Sequence, residues 1–381
     1  MFDSVPHARP ATTEEAAELV RGAATAGWSV VVRGGGTKQD WALPPRAVDL
    51  VLCTERMTGI VEHAAGDLIL VVRAGTPLAT VADKLAAAHQ QLALDDPFPD
   101  ATIGGVVAVS ASGPRRMLYG AVRDLLIGVT VVRADGAVAH AGGKVVKNVA
   151  GYDLGKLVAG SYGTLGMITQ CAFRLHPLPA ATACVQRDVG SPAEACRLAA
   201  TVLGAQVVPS GIEIDAPPSG GYSVAVLLEG VAAGVAQRAA TVARLLGPDA
   251  ITAEEPPAWW GRYPWKKGDV GLKVSTALSR VGDVVRAARA PVALRGSVGS
   301  GVLYAGMPGD TDPGRAALAI SELRAAARAG FGHCVVLTAP PAIRDRVDVW
   351  GPVDGLDLMR RVKAQFDPHD LWAPGRFVGG I

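Results

Sequence analysis

The sequence predicts an α+β fold in two parts, a helix-on-sheet N-terminal domain and a smaller antiparallel domain of ferredoxin-like type. Short β-branched runs alternate with amphipathic segments up to residue 178, as expected for helices packed on a sheet. The prolines of HPLP, residues 176–179, then interrupt this pattern. From residue 180 a β-α-β-β-α-β-like order occurs twice, which is typical of ferredoxin-like folds. We expect domains at 1–178 and 179–345, and a C-terminal segment, 346–381, that returns to the first domain.

The first domain begins with a helix whose start is marked by the capping box Thr12-Thr13-Glu14-Glu15 and whose end is marked by Gly27. Pro77 predicts the first turn of a second amphipathic helix, since proline is favoured there. Asp135-Gly136 predicts the turn of a hairpin. Apolar, β-branched runs predict strands at Trp28–Arg33, Val48–Cys53, Leu68–Ala74, Leu125–Arg133, Ala137–Ala141 and Leu165–Leu175.

The second domain is interpreted as a degenerate internal repeat, because its two rounds share an element order but little residue identity. The first round predicts helices Pro192–Leu203 and Ala232–Leu246 and strands Gly211–Asp215, Tyr222–Glu229 and Ala250–Ala253. The second predicts strands Gly271–Ala277, Pro291–Arg295, Gly301–Gly306 and His333–Thr338 and helices Arg280–Ala290 and Pro313–Ala329. A helix at Leu356–Phe366 is expected in the C-terminal segment.

Composition excludes several classes of function. The 381 residues include 37 Lys plus Arg and 35 Asp plus Glu, a net charge of +2, so a broad nucleic-acid surface is not expected. Five cysteines without a C-x-x-C pair exclude an iron–sulfur or zinc site held by this chain alone. Their odd number and the lack of a signal-like N-terminus predict a reducing compartment. No run of about 18 apolar residues predicts a transmembrane segment. We expect a cytoplasmic protein that reaches the inner membrane only through partners.

Three glycine-rich clusters mark the N-terminal half of the chain. They are VVRGGGTK (31–38), the stretch 101–136, which begins ATIGGVVAVSASGP, and the segment 142–168, which includes GSYGTLGMI. Each opens or follows an apolar run, so each is expected at a strand end, where glycine lets main-chain N–H groups approach an anion. Three such clusters predict a long ligand with several phosphates.

Two of these clusters leave alternatives open. The first matches neither G-x-x-x-x-G-K-[ST] nor the G-x-G-x-x-G helix of a Rossmann fold. Its amides, the Thr37 hydroxyl and the Lys38 ammonium suit a pyrophosphate, but an ordinary glycine-rich turn is the alternative. In the second cluster a helix starting at Gly104 would direct its N-terminal dipole at the same phosphate, and close helix–sheet packing is the alternative.

The order of these motifs resembles the FAD-binding domain of the vanillyl-alcohol-oxidase/PCMH flavoprotein superfamily. The motifs are RGGGT, AGTP, ATIGG, SASGPRRMLYGAVRD, KNVAGYDL and GSYGTLGMI. Within that superfamily, GKVVKNVAGYDLGKL (143–157) and the ending FDPHDLWAPGRFVGGI resemble the FAD-binding subunits of bacterial glycolate oxidases. The resemblance is strong over 28–178 and at the C-terminus, and loose from 180 to 345.

The resemblance implies a PCMH-type domain that holds FAD along the glycine clusters. The first and second clusters would flank the pyrophosphate, Ser112 and Gly113 would follow the ribityl chain, and 163–168 would hold the adenosine end. Thr37 stands where some members carry the histidine that attaches the flavin, so non-covalent FAD is expected. The candidate FAD-binding residues are Arg33, Gly34, Gly35, Gly36, Thr37, Lys38, Thr102, Gly104, Gly105, Ser112, Gly113, Gly163, Thr164, Gly166 and Ile168.

Candidate catalytic residues are Lys144, Tyr152 and Arg376. Lys144, Lys147, Asn148, Tyr152 and Asp153 form the polar group expected to face the isoalloxazine, where a cation would stabilise the anionic reduced flavin. An Asp153–lysine pair across a loop is the alternative. Arg376 is expected to approach the flavin edge with Pro374 and Gly375. Arg295 or Arg376 could clamp a substrate carboxylate, with surface ion pairing as the alternative.

Two further groups have simpler interpretations. Trp259-Trp260 and Trp265 predict either a partner-docking surface or packing under a long loop. Asp95-Asp96 and Asp100 predict a turn before the second cluster rather than a carboxylate pair.

The chain departs from the full-length D-2-hydroxy-acid dehydrogenases of the superfamily. Ser297–Tyr304 stands where those proteins carry an H-x-G-D-G-N-x-H-like metal site, and no E-x-x-H-G segment is present. We therefore expect no metal site here. The sequence predicts an FAD-carrying subunit of a glycolate (D-2-hydroxy-acid) dehydrogenase, with a catalytic flavosubunit and an iron–sulfur subunit as partners. A stand-alone FAD-dependent dehydrogenase and a non-redox subunit that holds FAD structurally are the alternatives.

Overall fold

The computed structural model describes residues 2, 4–144 and 153–381. Its contacts divide the chain into two units. The first unit comprises Met1–Ser112, Gly120–Leu178 and Val353–Ile381, and the second comprises Gly113–Tyr119 and Pro179–Pro352.

Strands and helices are numbered in chain order. The strands are β1 (His7–Ala8), β2 (Val30–Arg33), β3 (Leu50–Cys53), β4 (Ile60–Ala64), β5 (Ile69–Arg73), β6 (Gln90–Gln91), β7 (Leu126–Val132), β8 (Val138–Gly142), β9 (Met167–Arg174), β10 (His176–Pro177), β11 (Ala181–Val189), β12 (Gly211–Ala216), β13 (Tyr222–Gly230), β14 (Ile251–Ala253), β15 (Val270–Ser275), β16 (Ala293–Ser297), β17 (Val302–Met307) and β18 (His333–Thr338). The helices are α1 (Thr13–Ala26), α2 (Leu78–Ala86), α3 (Ile103–Val109), α4 (Arg116–Tyr119), α5 (Val122–Leu125), α6 (Leu154–Val158), α7 (Pro192–Leu203), α8 (Ala232–Leu246), α9 (Val281–Ala287), α10 (Pro313–Arg328), α11 (Pro341–Arg344) and α12 (Leu356–Phe366). Among the described residues, these helices are too short or too polar to cross a lipid bilayer.

The first unit contains two larger sheets with separate cores, and a small antiparallel pair of β6 and β10. One sheet is parallel, in the order β1-β3-β2, and packs against α1. The other is antiparallel, in the order β4-β5-β9-β7-β8, and packs against α2 and α3. The predicted helix caps of α1 are confirmed: the Thr12 side chain accepts from the Glu15 N–H, and Gly27 ends the helix in the left-handed region. The predicted β7–β8 hairpin is confirmed as well.

The C-terminal segment completes the first of these cores. Trp372 is fully buried beside α1 and β2. The N–H of Val30 donates to the carbonyl of Leu371 at 2.8 Å, and the N–H of Ala373 donates to the carbonyl of Val30 at 2.9 Å. Residues 353–381 therefore belong to the same unit as the glycine clusters, which makes them available to position those clusters.

The second unit contains an antiparallel sheet of order β14-β11-β13-β12-β16-β17-β15-β18, formed entirely by residues that the structure describes. If the strands are numbered 1 to 4 within each round, β11–β14 have the sheet order 4-1-3-2 and β15–β18 have the same order reversed, 2-3-1-4. Two helices connect the strands of each round. This is a tandem ferredoxin-like arrangement in which the second strands of the two rounds, β12 and β16, pair. The predicted internal repeat is confirmed, and so is the α+β class. Strand β11, the first of the repeat, was absent from the sequence prediction.

Candidate functional site

The first and second glycine clusters lie directly against each other in the first unit. A Cβ added to Gly34 would overlap the Thr102 hydroxyl, and one added to Gly35 would overlap the carbonyl oxygen of Asp100. Gly36 has a φ of +73°, which favours glycine. The absence of side chains in 34–36 is thus what allows the loop after β2 to approach the start of α3.

The third cluster packs at the other end of α3. The N–H of Gly160 donates to the carbonyl of Val107 at 3.0 Å, and the N–H of Tyr162 donates to the carbonyl of Ala108 at 2.8 Å. Gly163 has a φ of +77° and open space where a side chain would stand. The three clusters therefore meet around one short helix, as expected if they hold one extended ligand.

Several donors at this junction are unused within the described residues. The N–H groups of Gly34, Gly35 and Gly36 donate no hydrogen bond there, and neither does that of Gly105 in the first turn of α3. The buried hydroxyls of Thr102 and Ser161 also have no partner in the described part of the chain. Buried polar groups are normally paired, so this set is suited to an acceptor-rich, anionic ligand.

The N-terminus of α3 is less available than the sequence suggested. The N–H of Ile103 donates to the carbonyl of Thr76, and the N–H of Gly104 donates to the carbonyl of Ala74 at 2.7 Å. A Cβ on Gly104 would lie 2.8 Å from the Ala74 Cβ. Gly104 therefore serves close packing, the alternative considered above, and Gly105 presents the free amide.

Lys38 is held by the protein itself. Its ammonium forms a buried ion pair with Asp96 at 2.6 Å and lies over the rings of Phe98 and Trp41. Burial lowers the pKa of Lys38, and the Asp96 carboxylate opposes that shift. Lys38 thus joins the first cluster to the segment before the second, and Asp96 is the partner that sequence reasoning had assigned only to a turn.

The other predicted FAD-binding residues lie within the three glycine-rich stretches. Arg33 ends β2 beside Gly36, and Thr37 accepts a 3.4 Å hydrogen bond from Lys38. Thr164, Gly166 and Ile168 are buried, and a Cβ on Gly166 would lie 2.6 Å from Val131.

The Ser112 hydroxyl accepts from the N–H of Val122 at 3.3 Å. Gly113 is the first residue of the short segment that belongs to the second unit.

Two of the three candidate catalytic residues, Lys144 and Arg376, lie within the described residues, and each contacts its own partners. Lys144 is exposed and forms an ion pair with Glu62 on β4. Tyr152 lies outside the described residues, as do Lys147 and Asn148. Arg376 is 5% exposed, and its Nη2 donates to the carbonyls of Lys38, Gln39 and Trp41. Asp153 caps α6 and pairs with Lys156 at 3.2 Å.

Sequence reasoning missed a buried ion pair in the C-terminal segment. The Lys363 ammonium contacts Asp367 at 2.6 Å and donates to the carbonyls of Thr164 and Trp372. Asp367 also accepts from the N–H groups of Leu371 and Trp372. The i and i+4 spacing of the pair, at the C-terminal end of α12, is the signal in the sequence that could have revealed it.

The aromatic and charged groups of the second unit have structural partners. Trp259 and Trp260 pack on the cluster formed by Cys184, Ala225 and Leu227, which supports packing over docking. Trp265 stacks on Tyr263 with ring centroids 4.6 Å apart. Arg295 pairs with Asp215 at 2.7 Å.

Three thiols are chemically shielded. Burial raises the pKa of Cys184 and of Cys334 to about 12 each and raises that of Cys171 as well. The thiolate is the reactive form, so we expect iodoacetamide to leave these three unlabelled in the native protein at about pH 8 and to label them after denaturation. Peptide mass spectrometry measures this, with the less buried Cys196 as internal comparison. Labelling of Cys171 in the native protein would contradict its placement on β9.

The N-terminal part of the chain matches a known family. Residues 7–142, which include the first two glycine clusters, match the model of a family described as an FAD binding domain. This part of the chain is an FAD binding domain. The resemblance inferred from the motifs is thereby confirmed, and FAD is the cofactor.

Curated proteins similar to this chain include subunits of glycolate oxidase. The chain is 37% identical over 162 residues to glycolate oxidase subunit GlcE of Escherichia coli (strain K12), covering 42% of this chain and 46% of that protein. It is 36% identical over 172 residues to a D-lactate dehydrogenase of Archaeoglobus fulgidus, covering 44% and 38%. It is 30% identical over 223 residues to subunit GlcD of Bacillus subtilis (strain 168), covering 57% and 47%. The matched parts span less than half of each relative.

Solved structures share the fold over nearly the whole chain. Two crystal forms of an alkyldihydroxyacetonephosphate synthase superpose with TM-scores of 0.71 and 0.69, covering 97% of this chain and 77% and 76% of theirs. At 16% identity this likeness concerns the fold alone. It confirms the predicted α+β fold class.

The residues at the three clusters fit FAD. A pyrophosphate needs several N–H and O–H donors, and the junction of the first two clusters offers four free amides and the unpartnered buried hydroxyl of Thr102 within the described residues. Glycines 34 and 35 leave the room that a backbone-lined cleft requires. Gly34, Gly35, Gly36, Gly105 and Thr102 are the residues best placed to hold the cofactor.

Proposed function

We propose that this chain is the FAD-carrying subunit of a glycolate (D-2-hydroxy-acid) dehydrogenase complex. The observation that carries the proposal is the junction of three glycine clusters around α3, with its unused donors, in a domain similar to subunit GlcE. The clusters would hold the pyrophosphate between 34–36 and 102–105 and the adenosine end at 163–168. Thr37 in place of a histidine supports non-covalent attachment.

FAD held at these clusters would supply the hydride acceptor for the oxidation of glycolate to glyoxylate, in which the α-carbon gives up a hydride and the hydroxyl group gives up a proton to a base. The protein's part in this proposal is to fix the cofactor and exclude water around it. Lys144 and Tyr152 remain the candidates for contact with the isoalloxazine, and Lys144 would have to leave Glu62 to make it. For Arg376 the contacts support a positioning role, because its guanidinium donates to backbone carbonyls of the first cluster and of the residues that follow it.

The need for partners is supported by what this chain does not provide. Among the described residues no three His, Cys, Asp or Glu side chains gather where one metal ion could bind them. The five free cysteines are scattered, and four of them are buried. We therefore propose a sister catalytic flavosubunit and an iron–sulfur subunit that carries the electrons away, in a heteromeric complex of glyoxylate metabolism. Cytoplasmic location, with attachment to the inner membrane through partners, belongs to the same proposal.

The test is the flavin spectrum of the purified full chain, alone and in the complex isolated through a tag on this chain. We expect a yellow chain that glycolate bleaches anaerobically only in the complex. Bleaching of the isolated chain would favour a stand-alone dehydrogenase. A flavin in this chain that never changes oxidation state, even in a turning-over complex, would favour the non-redox subunit.

A further inference from the structure

The C-terminal segment places two buried cations against the glycine clusters. Arg376 Nη2 lies 3.2 Å from the carbonyl oxygen of Lys38, 3.1 Å from that of Gln39 and 3.4 Å from that of Trp41. Lys363 Nζ lies 2.9 Å from the carbonyl oxygen of Thr164. One cation thus contacts the first cluster and the other contacts the third.

The two cations differ in how their charge is compensated. Lys363 pairs with Asp367 at 2.6 Å, and the Asp370 carboxylate is 3.2 Å away. Arg376 forms no ion pair with any described carboxylate, and its buried Nε has no hydrogen-bond acceptor in the described part of the chain. A buried cation without a paired counter-ion is unfavourable.

The surroundings of Arg376 offset only part of this cost. Burial lowers the pKa of the Arg376 guanidinium, and the Coulombic influence of Tyr162 and of Asp40 opposes that shift without reversing it. An arginine nevertheless stays protonated in proteins. The FAD-free protein therefore carries incompletely compensated positive charge beside the first cluster.

Arg376 also fixes the conformation of the chain that follows the glycines. The Lys38 carbonyl accepts from the N–H of Trp41 at 3.2 Å in addition to Arg376, and the N–H of Gln39 donates to the carbonyl of Gly36 at 3.3 Å. Because a peptide group is planar and trans, fixing its carbonyl fixes the direction of its N–H. The first cluster is thus braced from the C-terminal segment.

We propose that Arg376 is a positioning residue for FAD: it braces the first cluster and supplies the positive charge that the cofactor's pyrophosphate neutralises. This rests on the proposed placement of FAD at the glycine clusters. Binding of the cofactor and docking of the C-terminal segment are then coupled, each strengthening the other, since linkage is reciprocal. A merely structural arginine would affect the FAD-free and FAD-bound protein equally.

The test compares Arg376→Met, Arg376→Lys and a matched control, Arg360→Met, which removes the same charge from an exposed site on α12. FAD is titrated into the FAD-free full chain with flavin fluorescence as readout, and Tm is measured with and without FAD. We expect Arg376→Met to weaken FAD binding at least about tenfold and to shrink the FAD-dependent rise in Tm. Arg376→Lys, which keeps charge and donors, should recover most of the affinity, and Arg360→Met should behave as wild type.

Wild-type FAD affinity in Arg376→Met would overturn the proposal. If that variant does not fold, Arg376→Gln, which keeps donors without charge, replaces it, and wild-type affinity there overturns the proposal equally. Gly35→Ala distinguishes the role of Arg376 from the placement of FAD at the first cluster. Loss of FAD in Gly35→Ala with normal affinity in Arg376→Met removes the role of Arg376 alone, whereas normal affinity in both removes the assignment of the cluster.

Discussion

Gly35→Ala is expected to abolish FAD retention. The added Cβ would overlap the carbonyl oxygen of Asp100 and lie 2.9 Å from its carbonyl carbon. Both contacts are with backbone, so no side-chain rotation relieves them and the first cluster must move away from the second. Overpacking of this kind costs roughly 1–3 kcal/mol of folding free energy. The larger effect falls on the cofactor, because donors on both clusters would no longer converge.

The measurement is the ratio of flavin to protein absorbance after gel filtration, together with urea denaturation of the FAD-free protein. Gly66→Ala is the matched control in the same unit, since nothing lies within 4 Å of its added Cβ. The control should keep its flavin and its stability. A Gly35→Ala protein with full flavin content would show that the first two clusters do not form the cofactor site.

The local parts of the fold could be predicted because their causes are local. The N-cap at Thr12 and the turn at Asp135-Gly136 appear in the structure where the sequence places them. Strand β11 was not predicted because polar residues interrupt the apolar ones in ATACVQRDV, and because the segment follows a proline pair that is typical of a linker. Its strand character comes from pairing with β13 and β14, which are distant in sequence.

The same distinction between local and long-range causes applies to the candidate FAD site. Glycine clusters at strand ends indicated which backbone segments approach an anion, since that property depends on residues within each cluster. Which donors stay free could not be predicted, because long-range contacts decide it. The amide of Gly104 is taken by Ala74, and the ammonium of Lys38 is taken by Asp96, 58 positions away (from 38 to 96). Gly105 keeps its donor only because nothing in the described fold reaches it.

Asp367→Ala is expected to destabilise the first unit by about 3–5 kcal/mol, the usual effect of breaking a buried ion pair. The Asp367 side chain is fully buried and accepts from Lys363 and from the N–H groups of Leu371 and Trp372. Its removal leaves a buried ammonium and two backbone donors without their acceptor. Asp370 compensates little, because it is partly exposed and also pairs with Arg46.

Urea denaturation measures this loss, and Asp357→Ala is its matched control. Asp357 lies on the same helix in an exposed pair with Arg360, where such pairs contribute about 0–1 kcal/mol. The double variant Lys363→Met/Asp367→Leu should recover part of the stability, since it removes both charges but still leaves the N–H groups of Leu371 and Trp372 without an acceptor. If Asp367→Ala is no less stable than Asp357→Ala, the C-terminal segment is not anchored through this pair. If the double variant regains stability but not FAD, the contact of Lys363 with Thr164 serves the third cluster as well as the fold.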